Sequence, residues 1–135
     1  MTFSDFLENK LLDHAFRNTA YTPPTTLYLA LFTAAPTDAG PGAGEVSTTS
    51  TGYARQSITP STGFSAASSG SIANTGTISF SAATASWGTI THFAIFDALT
   101  GSTNMLAWGA LSASKTVGSG DTASFAAGQL TISLD

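Results

Sequence analysis

Few side chains in this sequence have the chemistry to act on a substrate. Among 135 residues there are two histidines, eight carboxylates, four cations and no cysteine. Without cysteine there are no disulfides, thiolate nucleophiles or thiolate metal sites. His14 falls beside Lys10 and Asp13 on what reads as the polar face of a helix, a solvated position. His92 lies in a strand pattern with Phe93 and Ile95 on the opposite face, where a histidine satisfied by its neighbours is the expected role. Neither histidine belongs to an HExxH-type spacing, so no metal is expected. Serine is abundant, yet no G-x-S-x-G nucleophile elbow occurs. The glycines of 40–44 and 118–120 match no phosphate-binding loop, and Gly118-Ser119-Gly120-Asp121 reads as a turn before a strand. A carboxylate pair for glycoside hydrolysis would have to come from Asp38, Glu45 and Asp121. The first two share a loop and the third sits in that turn. The expectation is a protein that is not an enzyme and holds no cofactor.

Arg55 stands apart, as one of only four cations and inside the strand-like run Tyr53-Ala54-Arg55-Gln56. A charge there faces solvent, or pairs with Asp97, Glu45 or a neighbouring subunit. Arg55 is therefore a candidate interface residue, and an interfacial role predicts that Arg55→Ala weakens assembly while leaving the isolated fold intact. Phe3 and Phe6 are the other candidates. They precede or open the only good helix, 4–17, yet fall outside its apolar arc of Leu7, Leu11, Leu12, Ala15 and Phe16. They either staple the helix start or reach a neighbour. Ser4 or Thr2 can cap the helix, and Asp5 and Glu8 suit its first turn, where the dipole favours negative charge.

The elements that must position these residues read as mainly β. Pro23-Pro24 ends any helix, and Thr26–Thr33 alternates Leu27, Leu29 and Leu31 with Tyr28, Ala30 and Phe32. Both faces are apolar, so this strand should be central, with a sheet partner on one side and the helix as the candidate cover on the other. Residues 34–50 form a long loop or arm, rich in Gly, Pro and Thr, that could order against a neighbour. Short strand-like segments follow at Tyr53–Ile58, Gly70–Asn74, Thr77–Phe80, Thr89–Phe96, Met105–Leu111, Thr122–Phe125 and Leu130–Leu134. Asp97–Asn104 should turn between two antiparallel strands. Such spacing predicts one domain over 1–135, an antiparallel β-sandwich or jelly-roll-like fold with one N-terminal α-helix. The expected core comprises Leu27, Leu29, Leu31, Phe32, Phe80, Trp87, Phe93, Ile95, Trp108, Leu111, Phe125, Leu130, Ile132 and Leu134.

Composition points to packing against neighbours. Apolar residues make up 42% of the chain, but only 9% is charged, against roughly 25% in an average domain. Ser, Thr, Ala and Gly must then form much of the surface, and small neutral groups lose little side-chain entropy or hydration on contact. Net charge is −4 with no basic cluster, which argues against nucleic acid as a partner. The longest strongly apolar run, Leu27–Phe32, is far too short to span a bilayer, so no membrane insertion is expected.

Several segments together resemble a known family. They are FLENKLLDHAFRNTAYTPPTTLYLALFTAAPTDAG, EV…GYARQSIT, ASWGTITHFAIFDALTGSTNMLAWGAL and KTVGSGDTASFAAGQLTISLD. The family comprises small virion structural proteins of tailed phages, of the tail-fibre or minor tail type. The resemblance implies a non-enzymatic tail-associated component whose partners are other virion proteins, and it transfers no catalytic residue. A homo-oligomer, made in the host cytoplasm and residing in the virion, is the accompanying expectation. The alternative is a capsid decoration (cement) protein clamping shell subunits. A third reading, a carbohydrate-binding adhesion module, would need Tyr21, Tyr53 or Trp87 exposed on one flat face.

Overall fold

The computed structural model describes residues 1–101 and 104–134. Ser102 and Thr103, within the expected Asp97–Asn104 turn, and Asp135 lie outside the described residues. The fold is mainly β and antiparallel, with one N-terminal helix. Its elements are β1 (Thr2–Phe3), α1 (Asp5–Phe16), β2 (Leu27–Phe32), β3 (Gln56–Ile58), a single turn α2 (Pro60–Gly63), β4 (Ser71–Ala73), β5 (Ile78–Ser79), β6 (Gly88–Phe96), β7 (Met105–Val117), β8 (Ser124–Phe125) and β9 (Thr131–Ser133).

Five strands form the main sheet, in the order β1-β7-β6-β2-β3. The alternation of β2 gives the sheet two apolar faces. Leu29, Leu31, Phe93 and Ile95 point to one face, and two-stranded ribbons supply Ile72 and Ile132 (β4 with β9) and Ile78 and Phe125 (β5 with β8) to the same core. Tyr53, Phe80 and Trp87 complete that layer as a mutually packed aromatic trio, with ring centroids 5.4 to 6.1 Å apart. On the second face Ala30, Phe32, Ala94, Phe96 and Met105 form a smaller cluster, flanked by Tyr28 and Trp108.

The second face is not covered by the helix, contrary to the expectation from sequence. Residues 33–46 fold back along the edge of β2, with the Thr33 N–H donating to Gly44 O and the Val46 N–H to Leu31 O, and reach the second face at Asp38, which accepts from Trp108 Nε1 at 2.9 Å. Arg55 lies over the Phe96 ring at 3.6 Å. With that face occupied, α1 is held at the sheet's edge instead. The two residues of β1 pair with Ala107 and Trp108 of β7. Ser4 then accepts from the Leu7 N–H at 3.3 Å as the N-cap, and its hydroxyl donates to Met105 O. A helix fixed by its first turn alone projects its far end. Phe6 and Leu7 pack against the main core, but Leu12 is 56% and Phe16 82% exposed. Leaving a Phe or Leu side chain in water forgoes about 1.5–3 kcal/mol of burial free energy.

Other parts of the expected core shift in detail. Leu134 is 60% exposed, because β9 ends at Ser133 and the core cluster follows it only as far as Ile132. Leu27, Trp108, Leu111, Phe125 and Ile132 are half-buried. Val46, Tyr53, Ile58, Phe64, Ile90, Phe96, Met105, Leu106 and Val117 are buried in addition. β7 runs six residues beyond the expected Leu111 end, to Val117. Its register against β6 slips on the way. Ile90 faces Lys115 and His92 faces Ala110, so Leu111, Ser112, Ala113 and Ser114 together stand against Thr91. A bulge of this kind bends the strand and re-aims its side chains.

Candidate functional site

Three places in the fold gather polar or apolar groups in ways that could serve function. The first is the clamp around Arg55. β3 begins at Gln56, so Arg55 sits just ahead of the sheet with only 6% of its surface exposed. Its Nε donates to Glu45 Oε1 and one Nη to Glu45 Oε2, both at 2.7 Å. Further donations reach Ala98 O at 2.9 Å and Gly101 O at 2.6 Å. The Tyr53 hydroxyl donates to Glu45 at 3.1 Å and accepts from the Leu31 N–H at 3.0 Å. Burial, reinforced by the charge of Glu45, pushes the Tyr53 hydroxyl well above its ordinary value, so it remains a donor. This arrangement is chemically closed: both Glu45 oxygens are engaged by donors of the same chain. It ties the 34–50 segment, the start of β3 and the turn after β6 into one unit.

The second place is a patch on the sheet's other face. Trp108 donates from Nε1 to Asp38 Oδ1 at 2.9 Å. The His92 ring lies 6.0 Å from the Trp108 ring, and its Nδ1 is 2.8 Å from Thr91 Oγ1. Asp38 also accepts, through its backbone carbonyl, from the Asp5 N–H at the helix start. The group is thus a junction joining α1, the 34–50 segment and β7. His14 is likewise used locally, accepting from the Tyr21 N–H at 3.2 Å. Among the described residues no group of three or more His, Cys, Asp or Glu is arranged to hold a metal ion. No helix among them is long and apolar enough to cross a membrane.

The third is a cleft of about 920 Å³ between β7 and the 121–131 segment. Ile90, Phe93, Leu111, Val117 and Phe125 supply its apolar lining, and Lys115 stands on its wall. Phe93 and Phe125 meet edge to face at 6.0 Å. Gly109 lets the N-terminus pass close by: a Cβ there would come within 3.1 Å of the Phe93 ring and 3.4 Å of Met1 Cα, so that either would have to give by a few tenths of an ångström. Bulging of β7 shapes this cleft, a feature no periodicity in the sequence announces.

The residues singled out from sequence do not converge. Phe3 and Phe6 are half-buried at the base of α1, with Lys10 Nζ 5.7 Å from the centre of the Phe6 ring. Arg55 is in the clamp, paired with Glu45, one of the partners considered for it. A flat glycan-binding face built on Tyr53 and Trp87 is not available. Both are core residues, 3% and 4% exposed, because the trio with Phe80 encloses them. Sequence reasoning missed Asn74, a buried side chain that bridges the two ribbons. Its place at the end of the segment Gly70–Asn74, two residues before Gly76, is visible in the sequence, but its partners are not.

No curated protein matches the chain. A family model described as Podophage GP4 fiber I protein gp80 matches residues 2–133. That span takes in β1, α1, the sheet and both ribbons, so the chain belongs to the podophage GP4 fiber I protein gp80 family.

Proposed function

We infer that the chain is a non-enzymatic structural subunit of the tail fibre of a tailed phage, resident in the virion after synthesis in the host cytoplasm. The observation that carries this reading is the fibre-family match over residues 2–133. The use of the polar groups supports it. Arg55, Glu45, Asp38, Trp108 and His14 bind other parts of their own chain rather than converging on an open pocket. The sparse charge and the exposed end of α1 suit a subunit packed among others, with other virion proteins and further copies of itself as partners. The candidate interface of this reading lies on the helix side of the sheet, where Phe3 and Phe6 stand half-buried at the base of α1. Arg55 contributes to that interface indirectly, by holding the 34–50 segment against which α1 starts.

Quantitative mass spectrometry of washed particles tests the reading. A fibre subunit should be present at a small fraction of the copies of the major capsid protein. A count rivalling the capsid protein would make the chain a head decoration protein instead. Absence from washed particles would remove it from the virion altogether.

A further inference from the structure

Two features are left open by the chain's own packing: the apolar end of α1 and the cleft beside β7. The geometry points to their being the two halves of one contact, in which Leu12 and Phe16 of one copy enter the cleft of a neighbouring copy. This rests on the reading of the chain as a particle subunit present in several copies, and concerns the copy-to-copy contact alone.

The two surfaces complement each other in polarity and charge. At about 100° per residue, Phe16, Asp5 and Glu8 all lie within about 40° of Leu12 around the helix. All four are exposed. Lys10, His14 and Arg17 fall on the opposite side, where Arg17 pairs with Asp13 at 2.9 Å. The exposed ridge is therefore apolar and flanked by carboxylates. The cleft has an apolar floor at Ile90, Phe93 and Phe125 and a cation, Lys115, on its wall. Lys115 makes no ion pair among the described residues. The cleft's carboxylate, Asp121, is engaged by the Gly118 N–H at 2.8 Å.

A parallel helix-on-helix contact between copies would instead set Asp5 and Glu8 of each chain against their equivalents. Placing the ridge in the cleft brings Glu8 toward Lys115 and buries Phe16 among aromatic rings. Because ridge and cleft are different patches of one chain, each copy gives its helix to the next, and such a contact forms a ring where its rotation closes. α1 leaves from beside its own cleft, which Met1 lines. It carries Phe16 about 17 Å along the axis from Asp5, a reach suited to bridging between copies.

The cysteine-free chain allows a clean test. Full-length Phe16→Cys and Ser112→Cys variants, both at exposed positions, are mixed and mildly oxidised, with Thr49→Cys as an exposed control. The expected product is a Phe16→Cys to Ser112→Cys disulfide dimer, several-fold above the yield with the control. In light scattering, Phe16→Gln should shift the wild-type multimer toward monomer. Lys115→Glu should do the same, and adding Glu8→Lys should restore the multimer. Linkage of Phe16→Cys only to itself would overturn the proposal, as would a wild-type chain that stays monomeric at every concentration. Absence from particles with the cross-link intact would count against the fibre reading and leave this contact standing.

Discussion

A buried guanidinium is tolerated only where its donors find acceptors, and Arg55 finds them within its own chain. Two go to Glu45 and two to the backbone at Ala98 and Gly101. Removing one member of a buried pair typically costs about 3–5 kcal/mol, because the other charge is stranded. Glu45 keeps 25% of its side chain exposed, so Arg55→Ala should lower the stability of the subunit itself by at most about 3–5 kcal/mol, read from denaturant midpoints. An unchanged midpoint with weakened assembly would return Arg55 to the interface. Tyr53 adds a pH dependence. Its folded pKa is raised from 10.0 by burial first and by Glu45 second. Above pH 10 the unfolded chain gives up this proton while the folded chain keeps it, so stability is full below about pH 10 and falls as pH rises beyond it. Tyr21 is raised too, by burial and Asp97, so Tyr53→Phe should flatten the alkaline decline without abolishing it. An identical slope in wild type and variant would show that Tyr53 does not govern it.

Among the elements, the short ribbons depend on a single side chain for their alignment. Asn74 is 2% exposed. Its Nδ2 donates to Gly76 O at 2.8 Å and Ala126 O at 2.9 Å, and its Oδ1 accepts from the Leu130 N–H at 2.8 Å. The residue thus joins the ends of β4 and β5 to the segments beside β8 and β9. Asn74→Ala strands the buried Leu130 N–H, at about 1–3 kcal/mol, while the carbonyls of Gly76 and Ala126 belong to exposed residues and can turn to water. The thermal midpoint should fall by about 4–10 °C, given about 3–4 °C per kcal/mol at this size; a shift under about 2 °C would mean that water replaces the amide. The sequence makes β2, β6 and the first half of β7 legible, since their apolar alternation is long and bounded by turn residues. The helix is legible for the same reason, through its Ser4 cap and acidic first turn. What it conceals is pairing across distance. Nothing near Ile72 names Ile132 as its partner, and nothing near Glu45 fixes Arg55. The sheet-edge position of α1 is not legible either, because the segment that reaches the second face, 33–46, reads as loop from its Gly and Pro content. The bulge at Leu111–Ser114, and with it the cleft, follows from a register slip rather than from residue type.

For the molecule as a whole, the scarcity of charge has a structural counterpart. Of the four cations, Arg55 is buried and Arg17 is paired with Asp13, leaving Lys10 and Lys115 on a surface composed largely of Ser, Thr, Ala and Gly. A surface of that kind loses little hydration and little side-chain entropy when a neighbour covers it. The ribbons also impose a timetable. Ser71 and Ile132, bonded across β4 and β9, are 61 residues apart, and at about 5–20 residues per second synthesis takes about 3–12 s to cover that gap. Until it ends, Leu29 and Leu31, and Phe93 and Ile95 once they have been made, can belong to a sheet but not to a closed layer. The residues that finally close it, among them Phe125 and Thr131, are also residues that line the cleft. A half-folded chain consequently lacks the cleft, so under the copy-to-copy contact proposed above only subunits whose folding is finished would be accepted by a neighbour.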